Sequence, residues 1–471
     1  MFKKPKLSFW QIWNMNFGFF GIQFSFGLQQ SNMSAIYKYL GAEESELPLL
    51  WLAGPVTGLI VQPIIGAISD GTWSPKWGRR KPYFLIGALI ASFALALMPY
   101  SSSLWMAASL LWILDAGNNI AMEPYRAFIS DKLNKDQLSL GFLMQSFFTG
   151  FGITLANFTP AILVSLGFFA LTDKMDNGIP VFTYWAFGIG AIASISTVLY
   201  SVFTTKEYPP TDAELAKLKE EKSKGNVLTR TWHEITEAFK EMPLTMKQLI
   251  PVKFFSWFGM FAYWMFITST LAITQYGIPS DAINDESTLQ STEYAEAVVL
   301  TGQVNGTYNI VCFLIAFALV PLARKLGAKG LHSLALAIGG IAILCIPILS
   351  HSNVLFSLPN PFGEGTIAVT QLYLFSFGLG ITWASMMSMP YQLLASSVPK
   401  AKTGVYMGIF NMFIVIPMII QIFTTQFFLY DWLGSNPVNM IRLTGTFLVI
   451  AAVFTLFIKT KSTNSPTEEA S

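Results

Sequence analysis

Charge is scarce in this sequence. Asp, Glu, Lys and Arg fill only 12% of 471 positions, about half the share of a soluble globular chain, so an ordinary water-facing surface cannot be built from it. The formal net charge is +2, too small to draw nucleic acid or another polyanion. Two cysteines, Cys312 and Cys345, exclude a disulfide framework and read as buried free thiols inside helices. The three histidines, His233, His332 and His351, fall in loops or at helix ends. None stands deep inside a long apolar run, where a Ser–His or His–Asp constellation of a membrane-embedded hydrolase or acyltransferase would need it. No metal-ligand cluster is present either. The sequence therefore calls for no catalytic site, no metal and no cofactor.

Apolar residues are what it has in excess. Hydrophobic types make up 53%, Phe alone occurs 40 times, and mean hydropathy is +0.50. Runs of about 20 residues or more, each bounded by charged, Pro or Gly positions, have the length a bilayer crossing requires. They fall at about 12–37, 48–69, 82–100, 104–128, 138–166, 181–203, 248–275, 296–322, 331–350, 366–395, 404–430 and 438–458. The first is too long and too polar-studded for a cleavable signal, so the N-terminus is expected to stay attached. With that terminus cytoplasmic, all 29 Lys and Arg except Lys38, Lys174 and Arg442 lie on cytoplasmic loops, tails or helix ends. The opposite loops are acidic, with Glu43, Glu44, Glu46, Asp281, Asp285 and Glu286. This asymmetry follows the positive-inside rule, and an odd number of spans would scramble it. The expectation is an all-α protein of twelve spans in a plasma (inner) membrane, both termini cytoplasmic.

One long hydrophilic interruption begins Lys206-Glu207-Tyr208-Pro209-Pro210. It divides the chain into a six-helix bundle (1–203), a cytoplasmic linker (204–247) with two candidate surface helices at about 212–224 and 229–242, and a second six-helix bundle (248–460). A polar tail (461–471) reads as disordered. Paired repeats of this kind place a binding site near the midplane between them. An internal echo supports the pairing: Gly66 to Pro82 after span two, and Pro321 to Gly330 after span eight, share glycines and basic residues.

Within the first of those loops, Gly66 permits close helix packing, Asp70 ends span two, and Gly78-Arg79-Arg80 turns the chain into span three. An acid facing arginines at helix ends makes a charge-assisted latch that holds one conformation and releases in another. The plainer alternative is that the arginines only anchor the loop in the cytoplasm.

Span four carries the acids deepest in the membrane: Leu114-Asp115-Ala-Gly-Asn118-Asn119, then Glu123-Pro124-Tyr125-Arg126. At about 100° per residue, Asp115, Asn119 and Arg126 share a stripe, but Asp115 and Arg126 stand roughly 16 Å apart along the axis. Glu123, three residues before Arg126, is its candidate partner. A mid-bilayer carboxylate is costly to ionise and marks a proton path. Asp115, Glu123 and Arg126 are therefore the proton-coupling candidates, with a structural Glu–Arg pair left open for the latter two. Amides recur on other spans, at Gln23 and Gln29 in span one, Gln145 in span five and Asn411 in span eleven. Amides hydrogen-bond ring hydroxyls, and aromatic faces stack on sugar C–H surfaces. Gln23, Gln29, Asp115, Asn118, Asn119, Gln145, Trp264, Trp383 and Asn411 are thus the substrate-binding candidates, with Trp257 a further aromatic. Any single amide can instead bond helix to helix, and any single Trp can be interfacial.

At these residues the sequence resembles the glycoside/sucrose proton symporter family of the major facilitator superfamily, which includes plant sucrose carriers and animal and bacterial relatives. Four blocks carry the resemblance: Gly21-Ile22-Gln23-Phe24-Ser25-Phe26-Gly27-Leu28-Gln29; the lengthened loop from Asp70 to Pro82; Leu114-Asp115 with Asn118-Asn119, Pro124-x-Arg126-Ala127 and Asp131; and Gly404-x-x-x-Gly408-x-x-Asn411 with Ile414-Val415-Ile416-Pro417, preceded by Pro390-Tyr391 and Ala395-Ser396. The resemblance implies the major facilitator fold and proton-coupled import of a disaccharide or glucoside by alternating access, by a monomer. It also implies that Asp115 couples the proton and touches sugar and that Arg126 is required. Glu123 and Met418 depart from the family pattern. A sodium-coupled sugar symporter of the melibiose type shares the architecture, but such carriers gather several acids on spans two and four.

Overall fold

A computed structural model describes residues 4–70, 72–209, 216, 240–359, 365–395, 397 and 403–459. The main helices are α1 (Phe9–Tyr39), α2 (Ala53–Asp70), α3 (Lys81–Leu97), α4 (Leu104–Lys132), α5 (Leu138–Ser165), α6 (Val181–Thr204), α7 (Leu244–Tyr276), α8 (Thr292–Leu344), α9 (Tyr373–Met386), α10 (Met389–Ala395), α11 (Thr403–Thr424) and α12 (Pro437–Leu456). α8 carries two of the expected spans, joined at Gly327, whose φ of 71° breaks the helix. Sequence-readable caps start several helices. Ser8 and Gln11 form a capping box on α1, while Ser103, Ser291 and Asn436 accept from the first turns of α4, α8 and α12.

Among the described residues nine helical segments are long and apolar enough to cross a membrane. The expected spans at about 12–37 and 104–128 fall on α1 and α4, whose polar residues lower their hydropathy. The expected span at about 366–395 is a correction. Its first residues, Thr366–Thr370, form strand β2, which pairs antiparallel with β1 (Val354–Pro359) in an exposed hairpin. The helix starts only at Tyr373 and is interrupted between α9 and α10. The β-branched run Thr366-Ile-Ala-Val-Thr, preceded by Pro359, Pro361, Gly363 and Gly365 in the sequence, favours a hairpin over a helix here. Cys312 and Cys345 are free but half-buried, not buried as expected. The expected linker helices at 212–224 and 229–242 lie almost wholly outside the described residues, as do the tail and Ser396.

α1 packs against α5 and α6, α3 against α4 and α6, and α2 against α4; in the second half α7 packs on α11 and α12, and α8 on α9 and α12. Close approach is set by missing side chains at one crossing. A Cβ at Gly87 of α3 would stand 2.5 Å from Gly117 O and Ala121 N of α4, which lets these helices touch along their backbones. Contact between halves runs through α5 with α8 and α2 with α11.

Candidate functional site

The polar side of α4 turns inward, onto α1 and α2. Asp115 is 1% exposed. Its Oδ1 accepts from Gln29 Nε2 at 2.7 Å, and its Oδ2, beside Gly54, has no hydrogen-bond partner. Asn119 Nδ2 donates to Thr57 Oγ1 (3.0 Å) and to the Asp115 carbonyl (2.9 Å), and its Oδ1 accepts from Gln62 (2.5 Å). Asn118 Nδ2 donates to Ser25 Oγ at 3.1 Å. Buried and unpartnered beside these bonds are Gln29 Oε1 and Asn118 Oδ1, with Gln145 Nε2 on α5. Three buried acceptor atoms around Asp115 (its Oδ2, Gln29 Oε1 and Asn118 Oδ1) thus lack a protein donor, and each costs stability unless something supplies one.

Other amides serve the scaffold. Asn16, Asn32 and Asn157 donate to carbonyls four residues back, and Gln421 to Thr425. Gln23 reaches only Met122 Sδ, at 3.9 Å. Asn411 is exposed on α11 and makes none of these bonds. A polar chain crosses between halves: Ser31 donates to Asn157, Asn305 Nδ2 to Ser31 (3.0 Å), and Tyr263 to Asn305 Oδ1 (2.9 Å).

In the second half Trp257, Trp264 and Trp383 meet. Their ring centroids stand 5.4–6.5 Å apart at 63–84°, within edge-to-face range. Trp264 Nε1 donates to Tyr308 at 3.2 Å, while Trp257 Nε1 is buried and unpartnered. The structure brings together the three tryptophans that the sequence named singly.

Arg126, on the stripe of Asp115, does not reach it. It is 48% exposed and stands 3.9 Å from Glu123, a long ion pair; Glu123 in turn passes Gly66. The role expected of Gly66 needs correcting, because a Cβ there would make only an ordinary 3.6 Å contact. Around the Gly78–Lys81 turn, Arg80 donates to Asp131 Oδ2 (2.8 Å) and Ser69 (2.7 Å). The side chain of Asp70 lies outside the described residues. Glu207 is the acid that sequence reasoning missed. Its carboxylate accepts from the backbone N–H groups of Arg79, Arg80 and Lys81 at 2.9–3.2 Å, capping α3, which has no side-chain cap of its own. Gly78, at φ 82°, makes the room, since a Cβ would stand 2.5 Å from Glu207 Oε1. Lys81 Nζ returns to the end of α6 at Val202 O and Thr205 O, and Lys132 Nζ lies 3.4 Å over the Tyr208 ring. Arg79 contributes its backbone.

On the opposite, acidic face the halves are tied by a buried ion pair. Lys38 Nζ meets Glu44 Oε1 at 2.7 Å, both fully buried. Lys38 also donates to Ile283 O (2.8 Å); Glu44 accepts from Ser269, and its N–H donates to Asn284 Oδ1 (3.3 Å). Lys174 reaches Leu289 O and Gln290 beside them.

The sequence profile of the Major Facilitator Superfamily matches residues 15–422. The chain belongs to the major facilitator superfamily. It is a multi-pass membrane protein of a transporter family, not an enzyme. It is 27% identical over 428 residues to the sucrose transport protein SUC4 of Arabidopsis thaliana, covering 85% of this chain and 80% of that protein. It is 24% identical over 440 residues to the sucrose transport protein SUT3 of Oryza sativa subsp. indica, covering 84% and 82%. Among solved structures, the peptide transporter POT aligns with a TM-score of 0.62 at 13% identity, covering 96% of both chains. The nucleoside transporter NupG aligns at 0.62 and 14%, covering 95% and 96%. At these identities the structural likeness speaks to fold alone.

Proposed function

We propose that this superfamily member is a secondary active transporter that imports a disaccharide or glucoside by proton symport through alternating access. The observation that carries the reading is the inward polar face of α4. Asp115 is held by Gln29 through one oxygen, and its other oxygen is unpartnered among further unpartnered amide acceptors. Protonated on Oδ2, Asp115 donates to a sugar hydroxyl oxygen, while Gln29 Oε1 and Asn118 Oδ1 accept from hydroxyls. The Trp257–Trp264–Trp383 cluster offers apolar ring edges for the sugar's C–H faces. Similarity to plant sucrose transport proteins supports the substrate class. Two six-helix halves (1–203 and 248–460) joined by the 204–247 linker would rock about this site, in a monomer seated in the plasma (inner) membrane with cytoplasmic termini. Arg126 and Glu123 line the path of proton release, and the Glu207-capped turn with Arg80 and Asp131 latches the basic face.

The test is uptake into proteoliposomes of sucrose, maltose, trehalose and monosaccharides, with and without an imposed proton gradient. Asp115→Asn is expected to abolish uphill uptake while sugar exchange survives in part. Equal uphill uptake by wild type and Asp115→Asn refutes the coupling role. Accumulation that follows sodium and ignores a proton ionophore assigns the coupling to sodium instead.

A further inference from the structure

The β1–β2 hairpin joins α8 to α9 at the end of the bundle where α7 leads toward Asp281, Asp285 and Glu286. Its base is tied there. Gln275, in the last turn of α7, donates to Leu349 O (3.0 Å) and accepts from the His351 N–H (2.8 Å), and the Gln371 N–H donates to Asn353 O (2.9 Å). The strands therefore begin level with the ends of membrane helices.

Residues paired across an antiparallel ladder carry their side chains on one face, and the face alternates along each strand. The register pairs Phe356 with Val369 and Leu358 with Ile367; alternating with these, Ser357 pairs with Ala368 and Pro359 with Thr366. Phe356, Leu358, Ile367 and Val369 thus make one wholly apolar face, and the other face is small and more polar. The apolar face is not packed on the bundle: Phe356 is 52% exposed, Leu358 51% and Ile367 40%. A two-stranded hairpin is marginal in water unless such a face is covered.

The surroundings identify the cover. Apolar exposure continues along the chain into the lipid-facing sides of the spans that carry the hairpin, at Ile341, Leu344 and Ile348 before it and at Leu374 and Phe377 after it. From Leu349 to Leu372 the sequence holds a single Asp, Glu, Lys or Arg, Glu364, so little charge holds the segment in water. Each strand of the two-stranded sheet also keeps one unpaired edge, which the hydrocarbon core does not tolerate. Lipid covers the face, and the depth stops at the interface.

We propose that the hairpin is an interfacial membrane anchor, lying on the leaflet at the acidic end with Phe356, Leu358, Ile367 and Val369 turned into lipid and Ser357, Ala368 and Thr366 turned to water. The attraction is apolar, so it does not depend on headgroup charge.

The test places a spin label at Phe356→Cys, Ser357→Cys, Ile367→Cys or Ala368→Cys in the full chain, with Cys312 and Cys345 replaced by serine, in phosphatidylcholine vesicles. Power saturation measures collision with oxygen, which partitions into lipid, and with a water-soluble nickel chelate. Labels at 356 and 367 are expected to favour oxygen, at the roughly 5–10 Å depth of an interfacial element, and labels at 357 and 368 to favour nickel. Adding phosphatidylglycerol is expected to change none of them. Leu358→Asp, at an exposed position, is expected to turn the label at 367 toward nickel without lowering the melting temperature of the bundle. Nickel preference at all four positions puts the hairpin in water and overturns the inference. Exclusion of both reagents at 356 and 367 shows a protein cover, a second copy if the labels couple to one another, and overturns it too. So does a label at 367 that stays oxygen-accessible in Leu358→Asp, or insertion that requires phosphatidylglycerol.

Discussion

Glu44→Ala removes the only carboxylate that pairs with Lys38 among the described residues, at a point where both groups are shut off from water. The ammonium would keep the Ile283 carbonyl and lose its charge partner, and Ser269 would lose its acceptor, while the backbone N–H of residue 44 still donates to Asn284. Truncating one partner of a buried pair costs ~3–5 kcal/mol, because the other charge is stranded. Neither group is exposed, so solvent screening gives no discount. That cost falls only on the arrangement in which the acidic face is closed. Once the halves part there, Lys38 is hydrated whether or not Glu44 is present. In the alternating-access reading the equilibrium then shifts toward opening of that face by roughly two to four orders of magnitude, enough to invert a closed-state preference of a few kcal/mol. Spin labels at the exposed positions Glu43 and Asp281, in a background with Cys312 and Cys345 replaced by serine, report it through pulsed dipolar spectroscopy. A single short distance is expected in the parent and a dominant longer one in Glu44→Ala. Replacing both partners with apolar residues of similar volume (Lys38→Met with Glu44→Leu) is expected to restore much of the short distance, since an isosteric apolar pair avoids the stranded charge. An unchanged distribution in Glu44→Ala refutes the argument. So does failure of the double replacement to recover, which would mean general disruption.

Two further outcomes follow from the turn before α3 and from one helix crossing. Gly78→Ala meets both a strained φ and the Glu207 carboxylate, and is expected to lower thermal stability by ~1–2 kcal/mol; Glu207→Gln, losing its charge at the α3 N-terminus, costs ~1 kcal/mol. Both act by loosening one cap, so the double variant should melt above the additive expectation, and strict additivity by scanning fluorimetry removes the cap from the explanation. Gly87→Val drives a branched side chain into the backbone of α4 and is expected to cost ~1–3 kcal/mol or more. A melting temperature equal to wild type in Gly87→Val shows that α3 and α4 do not pack as closely as described.

Features that belong to one stretch of chain were legible in the sequence, and features that join distant stretches were not. The spans could be read because a bilayer demands an uninterrupted apolar length. The inward side of α4 could be read because Asp115, Asn118 and Asn119 have no inexpensive reason to stand in such a run. Helical phase put Arg126 on the stripe of Asp115, but rise kept it away, and phase alone says nothing about depth. The sequence held Glu207 in plain view, yet as one acid in a linker full of them. Its partner is a glycine turn 129 positions earlier, and nothing local distinguishes a carboxylate that caps a helix from one that faces water. Lys38 and Glu44 misled for a related reason. Loop charge counting treats each as a surface group, whereas the second half closes over them through Ile283, Asn284 and Ser269. Lys253 is the sharpest case. A lysine near the basic end of a span satisfies the positive-inside rule so readily that no further reason for it is sought. Only the convergence of Trp257, Tyr391 and Phe410 from three helices shows that it is enclosed. Charge near a helix end therefore carries two meanings that composition cannot separate, exposed anchor or enclosed group, and what separates them is whether the neighbouring helices leave the group in water or cover it.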